Sequence, residues 1–296
     1  MPTRRRFFHL AFASLLCRNQ NLAATTKFDP LYPIEECSKW GYIDHRGVVR
    51  IRPQFDAAGE YSEDLAPVRV AEHWGYINRT GVMAVRPQFD EARSFHYGLS
   101  PVRVGDHWGF IRPDSSYAIP ARFDLARSFQ DERARVRVKQ KWGFIRTDGS
   151  YAIQPQYAGA NGYSEGLAPV QTSEGWGYID KSSTIVIGMQ FQVAESFSDG
   201  LAAVKTGRFW GFIDKNGRMV LESKFEEAGS FTEGLCPVRS NGKWGFINRF
   251  GIFVIPPQFD QADHFTNDLA AITTGGASKY IDHRNIVIWN SGVCPA

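Results

Sequence analysis

The sequence predicts an all-β fold: a tandem array of eight three-stranded antiparallel β-meanders of 34 residues each, open and superhelical like a solenoid. A Trp-Gly pair returns every 34 residues, and the runs around it are rich in β-branched and aromatic residues, with Asx- and Gly-rich turns between them. A fixed period along the chain predicts a repeat architecture whatever the local motifs are. We therefore interpret the copies as one domain. The recurring tryptophans are Trp40, Trp74, Trp108, Trp142, Trp176, Trp210 and Trp244.

Each unit begins with a strand such as residues 65–70, whose alternation of apolar and polar side chains is typical of one buried face. A second strand carries the Trp-Gly pair. The following Asx-x-x-Gly sequence, as in Asn78 to Gly81, predicts a type I turn, because the Asx side chain caps it and Gly accepts a positive φ. A third, largely apolar strand completes the unit. The meanders therefore start near residues 31, 65, 99, 133, 167, 201, 235 and 269.

The connectors between meanders share an aromatic residue, an alanine three positions later and a second aromatic three positions after that. Phe191, Ala194 and Phe197 are one such set. This spacing places the three side chains on one side of a helical or 3₁₀ turn. We therefore expect each connector to be a turn that packs one meander against the next.

The two terminal copies carry polar residues where the others are apolar, namely Glu36 in the first copy and Ser278-Lys279 in the last. Polar end faces are typical of an open stack, whose ends meet water. We therefore expect an open array, with a closed β-propeller-like ring as the alternative. Cys37 and Cys294 could form a disulfide only if the ring closes, because their Cα atoms would have to lie within about 7 Å.

Residues 1–24 differ from the rest of the chain. Arg4, Arg5 and Arg6 precede an apolar run at 7–16, and Ala23 and Ala24 follow, the pattern of a cleavable secretory signal. The segment is similar to twin-arginine export signals, and its apolar run is too short to span a bilayer as a helix. We expect an exported protein, periplasmic or extracellular, with residues 25–296 as the repeat domain and no membrane span. A cytoplasmic location is the alternative.

The charge balance gives no electrostatic reason to expect a nucleic-acid partner. Removing the four arginines of residues 1–24 from the 34 basic side chains leaves 30, against 31 acidic ones. Proteins that bind nucleic acid concentrate basic charge. We therefore expect no nucleic-acid partner.

The motif Lys-Trp-Gly-aromatic-Ile recurs at 39–43, 141–145 and 243–247, followed by Gly and then by segments such as Pro-Gln-Phe-Asp and Glu-Gly-Leu-Ala-Pro-Val. This pattern resembles the bacterial WG-repeat family, also written KWG, and the likeness covers about residues 31–290. The resemblance implies a β-rich scaffold, often exported or fused to other domains, with no shared catalytic residue.

Local motifs do not predict catalysis. Residues 162–166 match Gly-x-Ser-x-Gly, but the same place in other copies is a connector, so we interpret Ser164 as a turn residue. The seven histidines lack metal-ligand spacing, and the Asx turns hold lone carboxylates rather than pairs. We expect no enzyme activity, no cofactor and no metal.

One periodic polar feature predicts a binding surface. Five basic residues share the same outward place of the first strand and would form a stripe along an open array, able to bind an acidic polymer or an acidic protein face. The alternative is that they protect an edge strand against pairing with another chain. The residues are Arg69, Arg103, Arg137, Lys205 and Arg239.

The seven tryptophans are predicted to form the structural core, because each indole removes about 150–250 Å² from water when buried. Together these features predict a monomeric, non-catalytic binding scaffold of the bacterial envelope that presents an extended repeat surface to a protein or acidic polymer. The alternatives are an envelope hydrolase or other enzyme, and a purely structural spacer.

Overall fold

A computed structural model describes residues 29–291, so the predicted export signal at 1–24 and Cys294 lie outside the described residues. Within this range the regular secondary structure consists of β-strands, and no helical segment has the length and apolar character of a membrane span. The strands form eight antiparallel sheets, which we call blades 1 to 8 in chain order. Seven blades have four strands and blade 1 has three.

In the four-stranded blades the chain passes through an inner, a second, a third and an outer strand in order. The inner strands are Ala57–Ala58, Glu91–Ala92, Leu125–Ala126, Gly159–Ala160, Val193–Ala194, Glu227–Ala228 and Gln261–Ala262. The second strands are Leu31–Glu36, Leu65–Val70, Ser100–Val104, Ala134–Val138, Leu167–Thr172, Ala202–Thr206, Leu235–Ser240 and Leu269–Thr274. The third strands are Lys39–Asp44, His73–Asn78, His107–Ile111, Lys141–Ile145, Gly175–Asp180, Phe209–Ile213, Lys243–Asn248 and Ala277–Asp282. The outer strands are Val49–Phe55, Met83–Phe89, Tyr117–Phe123, Tyr151–Tyr157, Ile185–Phe191, Met219–Phe225, Phe253–Phe259 and Val287–Asn290.

The predicted three-stranded meander is wrong, because the connector supplies a fourth strand. In blade 2 the connector pairs Ala57 with Arg69 and Ala58 with Val68, and the Gly59 N–H donates to the Pro67 carbonyl at 2.9 Å. The alanine three residues after the aromatic lies in this two-residue strand, not on a helical turn. A spacing of three could not distinguish the two, since the strand is too short to show alternation.

The predicted open array is also wrong, because blade 8 packs against blade 1 and closes the ring into an eight-bladed β-propeller. The Tyr280 hydroxyl donates to the Pro33 carbonyl at 2.9 Å, and the Tyr32 hydroxyl donates to the Asn267 carbonyl. Ile34 of blade 1 is buried in one cluster with Trp289 of blade 8. The polar residues of the terminal copies do not prevent this contact, because none of them is fully buried. Ser278 is exposed, and Lys279 and Glu36 are half-buried.

The seam between blades 8 and 1 uses bulky side chains at places where other blades have smaller ones. Tyr32 stands where other second strands have a small residue such as Ala66, and its ring lies 5.5 Å from that of Tyr280. In the repeating contact a connector aromatic fills that place, as Tyr61 does at 4.8 Å from Tyr42. Tyr32 therefore replaces the ring that a connector of blade 1 would supply.

Neighbouring blades share hydrophobic clusters of one repeating kind. Trp40, Tyr42 and Phe55 on one face of blade 1 pack against Val68 and Ile77 on the facing side of blade 2. The same arrangement recurs between later blades. Each four-stranded blade is thus covered on both faces, which is why small sheets that would be marginal alone are stable in the ring.

The glycine of the Trp-Gly pair is required by the close approach of the outer strand. The pairing of third and outer strands shifts register at the Trp-Gly pair, where Trp74 is opposite Phe89 and Tyr76 is opposite Val85. A Cβ on Gly75 would lie 2.7 Å from Pro87 N and closer still to the Val85 carbonyl oxygen. Only a residue without a side chain fits beside that backbone.

The predicted Asx turns join the third and outer strands. In blade 2 the Asn78 side-chain oxygen accepts hydrogen bonds from the backbone N–H groups of Thr80 and Val82, both at 3.0 Å, and Gly81 has φ +82°. The buried Asp44 of blade 1 caps its turn in the same way and also binds Arg50. Burial alone would raise the Asp44 pKa, but these hydrogen bonds hold it below its ordinary value.

Candidate binding site around the central channel

The inner strands and the residues that follow them border the middle of the ring, which we call the central channel. Neighbouring blades are joined there by hydrogen bonds between positions 34 residues apart: Ser94 Oγ to the Glu60 carbonyl at 3.1 Å, and Ser128 Oγ to the Ser94 carbonyl at 3.0 Å. The segments after the inner strands of blades 2 and 8 line one cavity across the second strand of blade 1. The segments after the inner strands of these blades therefore lie close to one another at the channel.

The five predicted basic residues lie on second strands, each beside the inner strand of its own blade. They are half-buried, and each pairs in register with the tryptophan of the third strand, as Arg69 does with Trp74. Because the ring closes, they follow an arc around the channel and not a straight stripe along a rod. The residues of this basic arc are Arg69, Arg103, Arg137, Lys205 and Arg239.

The second strand is not an edge, which removes the alternative explanation of the basic residues. In blade 2 it pairs with the inner strand on one side and with the third strand on the other. Basic side chains that protect a free edge against pairing are needed only where a strand lacks a neighbour. The arc therefore needs another explanation.

The charge of the arc is only partly neutralised. Arg103 lies 3.0 Å from Glu91, and Arg239 lies 2.6 Å from Glu227. Among residues 29–291 the other three members form no ion pair. Arg69 donates to the Asp56 carbonyl at 3.4 Å, Arg137 lies 5.8 Å from the Trp142 ring, and Lys205 lies 6.0 Å from the Trp210 ring. Three cations are thus available to an acidic ligand, and two of them, Arg137 and Lys205, lie beside aromatic rings.

The tryptophans occupy the boundary between core and channel. Trp108 is buried with an exposed fraction of 2%, whereas the other six of the Trp-Gly pairs are half-buried. Those half-buried rings pack onto the edge of the interblade clusters, as Trp74 does beside Tyr76 and Phe89. Part of each half-buried indole therefore supports the core, and in blades 2, 4, 6 and 7 the indole lies opposite a residue of the basic arc.

Blade 1 lacks an inner strand among the described residues, and a cavity of about 340 Å³ lies at this place on the seam. Its wall includes Trp40, Tyr61, Glu60, Asp263 and His264. The His264 Nδ1 lies 2.7 Å from the Asp263 carboxylate, and this hydrogen bond raises the His264 pKa above its ordinary value. The cavity combines aromatic and mainly acidic groups, in contrast to the basic arc.

Ser164, the centre of the Gly-x-Ser-x-Gly match, lies in the loop between the inner and second strands of blade 5. Its backbone forms a bridge with Leu167, and the neighbouring Glu165 accepts a hydrogen bond from Gly200 N and binds Lys215 at 2.9 Å. The motif therefore belongs to a loop of blade 5 that contacts blade 6 through a hydrogen bond and an ion pair.

One group of residues could offer metal ligands, although sequence spacing did not predict it. Glu233, Asp268 and His283 place one ligand atom each within 4.8 Å of one another. His283 stands 50 residues after Glu233, as Lys215 does after Glu165, and its Nε2 lies 3.3 Å from Glu233. Repeat comparison therefore explains this group as a contact between blades 7 and 8.

The cysteines occupy different environments. Cys37 is disulfide-bonded, whereas Cys236 is a buried free thiol whose pKa is raised by burial. Cys294 lies outside the described residues, so its pairing with Cys37 stays a prediction. Cys236 takes the place of the small buried residue of the second strand, as Ala66 does in blade 2.

Sequence analysis missed a second set of channel residues, Arg93, Arg127 and Arg135, which line a cavity between blades 2, 3 and 4. Arg135 stands where other second strands have proline or alanine, as at Pro67 and Ala203. This departure from the repeat pattern could have identified Arg135 from the sequence. A search for residues shared by all copies does not find such a position.

One known family matches most of the repeat region. The family described as WG containing repeat matches residues 40–72, 74–106, 108–142, 142–174, 176–208, 210–244 and 244–276. No curated protein sequence matches the chain.

Solved structures with the same fold share little sequence identity with this chain. BamB from Moraxella catarrhalis matches with a TM-score of 0.53 and 8% identity over 87% of this chain and 92% of that protein. The dihydro-heme d1 dehydrogenase NirN has a TM-score of 0.60 and 12% identity over 90% of this chain and 74% of NirN. Hsv2p of Kluyveromyces lactis has a TM-score of 0.53 and 7% identity over 78% and 94% of the two chains. These likenesses establish the propeller fold alone.

Proposed function

Because the chain belongs to the WG containing repeat family and its repeats close into a propeller, we propose that it is a non-catalytic scaffold that binds an acidic protein segment at the central channel. The observation that carries this proposal is the arc of half-buried basic side chains. Arg69, Arg137 and Lys205 form no ion pair among residues 29–291. Opposite charge steers association and selects partners.

The geometry of the arc favours a polypeptide over a compact ligand. The five basic positions come from blades 2, 3, 4, 6 and 7, so they are spread around the channel and do not converge on one point. A segment with several carboxylates could contact more than one of them at once. The half-buried tryptophans beside the arc add an apolar surface, and large aromatic side chains are enriched at binding interfaces.

The test measures binding of fluorescently labelled poly-L-glutamate by anisotropy. In the test variant, Arg69, Arg137 and Lys205 are each replaced by Gln, the residue found at the same place in blade 5 as Gln171. The matched control replaces the exposed outer-strand residues Arg52, Arg86 and Lys224 by Gln and removes the same charge. We expect the test variant to bind about tenfold more weakly or worse, and wild-type affinity to fall with added salt.

Equal affinity of the two triple variants would overturn the role of the arc. Affinity that does not respond to ionic strength would also contradict it. Far-ultraviolet circular dichroism of each variant shows whether the fold is retained.

We also propose that the protein is exported to the bacterial envelope. The basis is residues 1–24, with Arg5 and Arg6 before Phe7 and Phe8 and an apolar run after them. The test is cell fractionation of wild type and of a variant with Arg5→Lys and Arg6→Lys. Export predicts wild type in the envelope fraction and retention of the variant in the cytoplasm. Wild type found only in the cytoplasm contradicts the proposal.

A further inference from the structure

A basic cavity lies on the channel side of blades 2, 3 and 4. It has a volume of about 410 Å³, which is within the range of pockets that hold small molecules. Three arginines line it, Arg93 and Arg127 from the segments after two inner strands and Arg135 from a second strand. Trp74 and Pro67 of blade 2 add an apolar wall.

Two of these guanidinium groups lack hydrogen-bond acceptors within residues 29–291. Arg93 Nε and Arg127 Nη1 are buried without a partner. Arg93 lies 5.0 Å from the Trp108 ring, which supports its flat face but accepts no conventional hydrogen bond. Leaving a buried charged donor unpaired is costly, so both groups can donate to a ligand oxygen without giving up a hydrogen bond within the protein.

Arg135 is held in place more firmly. Its Nη1 donates to the Ala160 carbonyl and to Asn161 Oδ1, and its guanidinium lies 5.4 Å from the Trp142 ring. These contacts come from blades 4 and 5 and fix the orientation of the side chain. Burial, together with the nearby charge of Arg127, lowers the Arg135 pKa to about 10.

The carboxylates near this cavity do not neutralise it. Glu91 is bound to Arg103 at 3.0 Å, and Glu195 accepts a hydrogen bond from Asn161 Nδ2 at 3.1 Å. Burial lowers the Arg127 pKa; Glu91 opposes this change and Arg137 adds to it. Positive charge therefore accumulates on one side of the channel.

The three arginines are specific to blades 3 and 4. At the place of Arg93 and Arg127 the other described copies have Gly59, Asn161, Glu195, Gly229 and Asp263. At the place of Arg135 they have proline or alanine. The repeat fold does not require arginine at either place, so their concentration in adjacent blades indicates a local function.

We propose that this cavity binds a small organic oxyanion, carrying a carboxylate or a phosphate group, between Arg93, Arg127 and Arg135. Guanidinium groups match the paired oxygen acceptors of carboxylate and phosphate groups and can bind them in a bidentate manner. The wall of Trp74 and Pro67 would contact the apolar part of the ligand. This inference does not rest on the proposed acidic partner, because none of the three arginines belongs to the basic arc.

The experiment measures binding of inorganic phosphate and of citrate by isothermal titration calorimetry, at constant ionic strength maintained with sodium chloride. We expect saturable binding of at least one probe to the full-length protein. Phosphate binding without citrate binding identifies a phosphoryl ligand, and the reverse identifies a carboxylate ligand. Absence of saturable binding for both probes overturns the proposal.

The main variant is Arg127→Asn, which copies Asn161 of blade 5 and removes a side chain without hydrogen-bond partners in the described structure. Arg86→Gln, on an exposed outer-strand residue, is the control of equal charge and copies Gln154 of blade 4. We expect Kd to rise about tenfold or more in Arg127→Asn and to stay unchanged in Arg86→Gln. Equal Kd values in the two variants overturn the proposal.

A second variant protects the test against misfolding. Arg135→Ala copies Ala203 of blade 6 and is expected to weaken binding as strongly as Arg127→Asn. Melting temperatures without ligand establish which variants are folded. Poly-L-glutamate binding by the same proteins separates this cavity from the basic arc, since loss of phosphate or citrate binding alone leaves the proposed scaffold function standing.

Discussion

At the scale of the single residue, the two members of the Trp-Gly pair have different physical causes. Gly75 is required by steric exclusion, because the outer strand crosses where its Cβ would be. Trp74 is half-buried, so it stabilises the interblade cluster with part of its ring. The sequence predicted the tryptophans as part of the structural core. It did not predict that the indole would also border the channel.

The steric requirement is tested by Gly75→Ala. Its Cβ would lie 2.7 Å from Pro87 N, and backbone at that distance can relieve the clash only by moving the strand. We expect the free energy of unfolding to fall by about 2–4 kcal/mol, measured by chemical denaturation. The control is Gly188→Ala on an outer strand, where a Cβ meets no atom within 4 Å. A similar loss in both variants would contradict the steric explanation.

A second prediction at this scale concerns the pH dependence of stability through Asp44, whose side chain accepts hydrogen bonds from two backbone N–H groups and binds Arg50. Because its pKa is lowered in the folded state, its stabilising contribution is present above the unfolded pKa of about 3.9 and is lost as pH falls through the folded pKa.

We expect Asp44→Asn to cost about 1 kcal/mol at pH 7, because Asn can cap the turn as Asn78 does but cannot pair with Arg50. The difference should shrink below about pH 4 in denaturation experiments. A difference that stays constant down to pH 2 would show that the carboxylate charge contributes nothing.

At the scale of the element, the connector determines the number of strands in a blade, and the seam determines how the first and last blades meet. The connector becomes an inner strand because its backbone groups pair with the second strand, as Gly59 N does with the Pro67 carbonyl. Blade 1 lacks this strand among residues 29–291, and Tyr32 supplies the missing ring at the seam. Ring closure is therefore a packing contact between residues far apart in sequence.

The seam is tested by Tyr32→Ala. Tyr32 has an exposed fraction of only 5%, and its removal would leave an unfilled space beside Tyr280 and Trp289. We expect a loss of about 3 kcal/mol in the free energy of unfolding, although alanine is the residue found at the same place in blade 2. Tyr97→Ala is the control, since Tyr97 is 50% exposed. Equal stability of the two variants would mean that Tyr32 does not hold the ring closed.

At the scale of the whole molecule, ring closure gathers charged groups from distant repeats around one channel. Arg93, Arg127 and Arg135 lie near blades 3 and 4, whereas Glu60 and Asp263 border the seam cavity. In an open array these groups would be spread along a rod. Closure brings them around a single channel.

Closure itself is tested by small-angle X-ray scattering. A compact chain of this length is expected to have a radius of gyration of about 18–20 Å. Eight sheets stacked about 10 Å apart would form a rod about 80 Å long, with a radius of gyration of about 25 Å. We expect the compact value. A rod-like scattering profile would contradict the closed ring.

The sequence alone determined the all-β class, the period of 34 residues and the turn chemistry, because strand alternation, Gly and Asx preferences act over a few residues. Asn78 and Gly81 could be assigned their roles without any tertiary contact. The resemblance to WG repeats also rested on such local features.

Only the tertiary structure decided the fourth strand, the closure and the sites. The pairing of Ala57 with Arg69, the contact of Tyr32 with Tyr280, and the convergence of Arg93, Arg127 and Arg135 all join residues whose proximity depends on the rotation between successive blades. That rotation accumulates from packing at every interblade interface. A repeating sequence pattern is compatible with both a rod and a ring, so local preference could not choose between them.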